Sequence, residues 1–103
     1  MISVCIATHN GEKYIKEQID SILSQLEPGD EIVISDDGST DNTLAILEAY
    51  HDFRIKLHAY KHSRKYHYNF DYATHNFENA LRQAKGDIIF LADQDDVWMP
   101  NKV

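Results

Sequence analysis

Three carboxylates fall within four positions at Asp93-Gln94-Asp95-Asp96, directly after the apolar run Ile88-Ile89-Phe90-Leu91-Ala92. Gly86-Asp87 followed by five apolar residues reads as a buried strand, so the acids sit at its carboxyl end. Like charges packed this closely repel and raise one another's pKa unless a cation lies between them. Hard oxygen ligands on a short loop suit Mg²⁺ or Mn²⁺, which usually take one or two protein carboxylates together with substrate phosphates. A metal–diphosphate site is therefore expected here. A solvated acidic turn is the plainer alternative, and four residues alone do not decide between the two.

The elements that must position these acids follow from apolar periodicity. Ile2 to Thr8 reads as a first strand, closed by His9-Asn10-Gly11. Ile15, Ile19, Ile22, Leu23 and Leu26 follow at helical spacing, predicting a helix of about 14 residues that Pro28-Gly29 stops. Glu31 to Ser35 is a second strand ending at Asp36-Asp37-Gly38, and Ser39 or Thr40 is placed to cap the next helix, with Leu44, Leu47 and Tyr50 along one face. Arg54 to Tyr60 reads as a third strand, and Lys61 to Tyr72 as a long loop. Phe77, Ala80, Leu81 and Ala84 then form a third helical stripe. Alternating strands and helices with mostly apolar strands predict an α/β fold, a parallel sheet with helices on both faces. Ligands of such sheets bind at the carboxyl ends of the strands. Three polar clusters fall there: Thr8-His9-Asn10, Asp36-Asp37-Gly38-Ser39 and Asp93 to Asp96.

Composition narrows the function. The 103 residues form one domain; ten basic against seventeen acidic side chains leave a net charge of -7. That excludes sequence-independent binding to nucleic acid and to an anionic membrane, both of which need basic surface. Cys5, the only cysteine, lies in an apolar run and reads as a small buried hydrophobe of a reducing, cytoplasmic setting. No apolar stretch approaches the ~20 residues that span a bilayer. His58, His62, His67 and His75, among Tyr60, Tyr66, Tyr68, Phe70 and Tyr72 with Lys61, Arg64 and Lys65, match no zinc spacing. Such aromatics interleaved with cations resemble a single-strand nucleic-acid surface, but the net acidity favours a loop lining the site.

In order, Ile2-Ser3-Val4-Cys5-Ile6-Ala7-Thr8-His9-Asn10, Ser21-Ile22-Leu23-Ser24-Gln25, Glu31 through Asp41 with its Asp36-Asp37-Gly38-Ser39-Thr40-Asp41, and Asp93-Gln94-Asp95-Asp96-Val97-Trp98 resemble the motifs of the family 2 glycosyltransferases, in a rhamnosyltransferase-like branch. The resemblance spans the chain. It implies the Rossmann-like GT-A nucleotide-diphospho-sugar transferase fold, with residues 1–103 as the donor-binding part, truncated after the Asp-x-Asp strand. It implies an inverting, metal-dependent enzyme that moves a sugar from a UDP-, GDP- or dTDP-sugar to a glycan acceptor hydroxyl in polysaccharide or cell-surface glycan synthesis. Thr8 and Asn10 would lie beside the nucleoside, or else end a strand and cap a helix. Asp37 would accept from a base N–H, and Asp36 would reach the ribose or support the turn. Asp93 would serve the ribose or nearby waters, and Asp95 and Asp96 the Mg²⁺ or Mn²⁺ ion. Asn76 would approach the donor or cap the third helix; Trp98 and Pro100 would pack the metal loop. The family's catalytic base lies on a later segment and would fall beyond the chain end, so the fragment would be inactive alone and its open sheet edge would favour self-association. The full-length enzyme would be cytoplasmic or peripheral at the inner face of the cell membrane. The competing class is a receiver-like, divalent-cation-binding regulatory module, which also gathers acids at strand ends but needs an Asp after its third strand, where this chain has Ala59-Tyr60-Lys61.

Overall fold

The computed structural model describes residues 1–60 and 69–93. Its elements run β1 (Ile2–Thr8), α1 (Ile15–Leu23), β2 (Glu31–Asp37), α2 (Thr43–Glu48), β3 (Ile55–Tyr60), α3 (Asn69–Gln83) and β4 (Ile88–Asp93). The four strands form one sheet in the order β3-β2-β1-β4, every neighbouring pair parallel. This is the strand order of a Rossmann half-sheet, in which the direction of winding reverses beside β1. A receiver places its third strand next to its first, on the other side from the second. Here β3 lies outside β2, so the strand order sets the receiver alternative aside.

Helices cover both faces, as the apolar strands require. On one face Val4, Ile6, Ile32 and Ile34 meet Ile15, Ile19, Ile22 and Leu26 from α1 and the turn after it, with Leu47 from α2. On the other, Cys5 and Val33 meet Ala80 of α3, with Ala84 beside them. Burying each large aliphatic side chain stabilises by about 1.5–3 kcal/mol. The α1 face, with six fully buried isoleucines plus Val4, dominates.

Three helix boundaries depart from the periodicity. The first helix has nine residues and stops at Leu23, well before Pro28-Gly29. Leu26 still reaches the core, through a turn closed by Gln25 N–H to Ile22 O and Leu26 N–H to Leu23 O. The Arg54 guanidinium donates to the carbonyls of Leu23 and Leu26 at 3.2 and 2.8 Å, a tertiary cap in place of more helix. The second helix begins at Thr43, because Ser39 and Thr40 are engaged in the preceding loop; Asp41 Oδ1 accepts the Thr43 N–H at 2.9 Å instead. The third helix begins at Asn69, so residues 69–72 are helical rather than loop, and residues 61–68 lie outside the described residues. Within residues 75–83 its buried positions are Asn76 and Ala80, while Leu81, expected in the stripe, is exposed.

Strand β4 is fixed at its amino end by close polar packing. The Gly86 N–H donates to Ser3 Oγ at 2.7 Å, Ser3 Oγ donates to Glu31 Oε2 at 2.6 Å, and the Lys85 N–H donates to the same oxygen at 2.7 Å. A Cβ at Gly86 would lie 2.5 Å from Ser3 Oγ and 2.8 Å from the Met1 carbonyl, so only glycine lets the chain enter β4 this close to β1. On the free side of the sheet, Ile88, Ile89 and Leu91 of β4 are 46–57% exposed.

Candidate functional site

The carboxyl ends of β1 and β2 are laced together by the residues the sequence singled out. Thr8 and Asp36 are partners in the β1–β2 register. Both are buried, and the Thr8 hydroxyl donates to Asp36 Oδ1 at 2.6 Å. Ser39 donates to the same carboxylate twice, its hydroxyl to Oδ1 at 2.6 Å and its N–H to Oδ2 at 3.0 Å. Gly38 allows this tight return with φ of +58°, a conformation that side chains disfavour. Of the two roles considered for Asp36, the turn is the one these bonds build.

Asp37, 94% buried by its 6% relative exposure, projects by strand alternation to the sheet face opposite Asp36, the face that α3 covers. Its backbone carbonyl accepts from His9 Nδ1 at 2.6 Å, which puts that ring proton on Nδ1 and leaves Nε2 as an acceptor, 3.4 Å from the Asn10 amide nitrogen. Sequence reasoning assigned His9 no such role.

Asn10 adopts φ of +50°, tolerable for asparagine. Its N–H donates to Ser39 Oγ at 2.9 Å, and its Oδ1 accepts the N–H groups of Thr40 and Asp41 at 2.7 and 3.3 Å. Asn10 therefore caps no helix; it clamps the loop after β1 to the loop after β2. Gly11 N–H to Thr43 Oγ1 at 2.8 Å extends the clamp into α2.

The carboxyl end of β4 lies on the other side of β1. Asp93 ends β4 in register with Ala7, one residue before Thr8. Winding reverses between these two strands, which is where a doubly wound sheet opens a crevice at its carboxyl edge. Asp95 and Asp96, expected as metal ligands, lie outside the described residues, as do Trp98, Pro100, His62, His67 and the basic residues Lys61, Arg64 and Lys65. Among the described residues no three His, Cys, Asp or Glu side chains gather around a common point.

Asn76 is not a cap. It lies inside α3, 3% exposed, with its Nδ2 donating to the Thr8 carbonyl at 3.1 Å and its Oδ1 accepting from Ser35 Oγ at 2.6 Å. The signal that points to it is a pair of amides, Asn76 and Asn79, at helical spacing on a face that must meet strands, opposite the lone hydroxyl in Ile32-Val33-Ile34-Ser35.

Elsewhere, a groove of about 400 Å³ lined by Lys56, His58, Lys85 and Glu31 lies at the amino end of the strands, away from the carboxyl rim. Its Glu31 is held by Ser3 and Lys85. Burial, with the nearby Glu31 carboxylate adding to it, pushes the Cys5 thiol up to about 11, which keeps it protonated and unreactive at neutral pH. Among the described residues, no helix is long and apolar enough to cross a membrane.

The chain is similar to solved and curated proteins. The chain is 37% identical over 101 residues to the dTDP-rhamnosyl transferase RfbG of Shigella flexneri, matching 95% of this chain and 34% of that protein. The TarS 1–349 structure from S. aureus in complex with UDP-GlcNAc superposes with a TM-score of 0.73 at 30% identity, covering 91% of this chain and 26% of TarS 1–349. The Pyrobaculum calidifontis mannosyltransferase PcManGT, in complex with GDP-Man and Mn²⁺, also gives 0.73 at 30% identity, over 94% of this chain and 28% of its own. The chain thus spans about a third of the length of the curated relatives it matches. Residues 3–103 match the model of glycosyl transferase family 2, so the strand order, the laced carboxyl rim and the acidic end of β4 are those of a chain that belongs to that family.

Proposed function

We propose that residues 1–103 form the donor-binding part of an inverting, metal-dependent glycosyltransferase of polysaccharide or cell-surface glycan synthesis. The observation that carries this is the junction of two differently equipped strand ends. A hydrogen-bonded corner, Thr8, Asn10, Asp36 and Asp37, lies on one side of β1, and an acidic strand end lies on the other. A nucleoside diphosphate has the matching polarity, a neutral hydrogen-bonding base at one end and an anionic diphosphate at the other.

Asp37 accepts a hydrogen bond from a base N–H, while Thr8 and Asn10 shape the wall beside the nucleoside. Asp36 holds that wall in place through Thr8 and Ser39. Asp93 takes the ribose, and Asp95 and Asp96 hold Mg²⁺ or Mn²⁺. The donor set fits such an ion: carboxylate oxygens on a short segment, with no thiolate or imidazole among the assigned ligands. When bound, the ion neutralises charge on the nucleoside diphosphate as it departs. In the reaction an acceptor hydroxyl attacks the anomeric carbon, its proton passes to a base, and the bond from that carbon to the diphosphate oxygen breaks. No residue of this chain is assigned as that base, and we assign the full-length enzyme to the cytoplasm or to the inner face of the cell membrane.

Amide NMR shifts of the chain with UDP, GDP and dTDP in turn, each with Mn²⁺, test the assignment. One nucleotide should shift Asp37 and the 93–96 segment together. No shift near Asp37 or Asp95 with any of the three would remove the proposal.

A further inference from the structure

We propose that Asn76 is a positioning residue for the donor site: from inside α3 it sets where the Thr8–Asp36–Asp37 corner stands relative to the strand that brings Asp93. This rests on the donor-binding function proposed above. Asn76 is nearly fully buried and makes two hydrogen bonds to different strands, to the Thr8 carbonyl on β1 and from the Ser35 hydroxyl on β2. Ser35 in turn accepts from Asn79 Nδ2 at 2.9 Å, one helical turn along α3. Both strand residues lie at the carboxyl rim, since Ser35 pairs with Ala7 and Thr8 with Asp36.

Thr8 is thereby held at two points. Its hydroxyl is held by Asp36 from β2, and its carbonyl is held by Asn76 from α3. Rotation of the Thr8 peptide would break one bond or the other. A buried carbonyl without its donor carries a desolvation cost, so the strand end has one favoured orientation. α3 ends at Gln83, and the chain then passes through Lys85 and Gly86, pinned to Glu31 and Ser3, into β4 and so to Asp93 beside Ala7. The helix that touches the nucleoside corner is thereby joined, through a connection held by hydrogen bonds, to the strand that ends in Asp93. Fixing that offset matters because a donor must meet both halves at once, and misplacement by about 1 Å weakens such a site strongly.

Asn76 is buried and bonded to the Thr8 carbonyl, so its effect runs through Thr8. Asn76→Asp keeps an acceptor for Ser35 but replaces the donor to the Thr8 carbonyl by an oxygen. Asn76→Ala removes both bonds, and Ser35→Ala leaves the Thr8 bond in place while removing the two bonds of the Ser35 hydroxyl, to Asn76 Oδ1 and from Asn79 Nδ2. Titrations of UDP, GDP and dTDP with Mn²⁺ are made at a temperature where circular dichroism shows each variant folded, which separates affinity from stability. Losing the Thr8 bond should weaken nucleotide binding by about tenfold in Asn76→Asp and Asn76→Ala. Ser35→Ala should bind within about twofold of the wild type, despite losing stability. Folded Asn76 variants that bind as the wild type does would overturn the positioning role. So would a Ser35→Ala defect equal to theirs, which is the mark of a merely structural contact.

If the Asn76 variants fail to fold, the wild-type protein still decides. Nucleotide binding should shift the Asn76 side-chain amide resonances together with the Thr8 backbone, and an unmoved Asn76 amide beside a shifted Thr8 would overturn the proposal. A wild type that binds none of the three nucleotides would remove the donor site itself, a result distinct from either of these.

Discussion

The Thr8 hydroxyl donates to Asp36 Oδ1 across 2.6 Å between two residues that are register partners on adjacent parallel strands. A carboxylate and a hydroxyl, both almost without solvent contact, thus terminate two strands as one unit. The consequence is a division of labour between neighbouring acids. Asp36 is occupied in building the rim, whereas Asp37, on the opposite face, is the one we assign to ligand.

Thr8→Val keeps the shape of the side chain and removes its donor. Asp36 then loses one of its three donated bonds in a buried place, which costs about 1–3 kcal/mol. Urea denaturation should show a lower midpoint with an unchanged slope. An unchanged midpoint would mean that water replaces the hydroxyl and that the rim is looser than described.

Gly86→Ala should destabilise by about 1–3 kcal/mol, because its Cβ would collide with Ser3 Oγ, Ser3 N and the Met1 carbonyl, two of them backbone atoms. Thermal unfolding checks this. A variant as stable as the wild type would show that β4 can move away from β1 at little cost.

Arg54 donates from Nε to Asp52 Oδ1 at 3.0 Å and from Nη2 to Oδ2 at 2.7 Å, holding the Asp52 carboxyl below its usual range. A folded pKa depressed in this way gives stability that is present above the unfolded value of about 3.9 and is lost as pH falls through the folded one. Asp52→Asn should therefore be less stable than the wild type at pH 7, and the gap should close progressively below about pH 4. Denaturation midpoints at several pH values measure it; a gap independent of pH would assign the loss to the Arg54 cap on α1 rather than to charge.

Among the described residues, β4 is an edge strand of the sheet, and its Ile88, Ile89 and Leu91 are about half exposed. Such edges favour pairing with another chain. Sedimentation should show association that rises with concentration and falls in Leu91→Lys. A monomer at high concentration would contradict it.

The four strands were legible because each is a short apolar run bounded by turn residues, and their polar ends marked the rim. Helix ends were less so. Leu26 continues the apolar spacing of α1, yet it reaches the core from a turn, since Arg54, distant in sequence, satisfies the carbonyls there. Ser39 and Thr40 have the composition of caps, but Asp36 and Asn10 engage them first. Both are tertiary competitions for a hydrogen bond, which local pattern does not contain. Asn76 was visible as a residue, while its partners Thr8 and Ser35 became apparent only once α3 lay across β1 and β2.

We assign the acidic end of β4 and the corner at Asp37 to the binding of one nucleotide through a divalent ion. Calorimetric titration of the wild type, Asp95→Asn and Asp37→Asn with UDP, GDP and dTDP, each with and without Mn²⁺, tests it most directly. The wild type should bind one of these nucleotides in a Mn²⁺-dependent manner. Asp95→Asn should lose the Mn²⁺ dependence while remaining folded, and Asp37→Asn should bind more weakly with the ion still effective. An Asp95→Asn variant whose Mn²⁺-dependent affinity equals that of the wild type would contradict it.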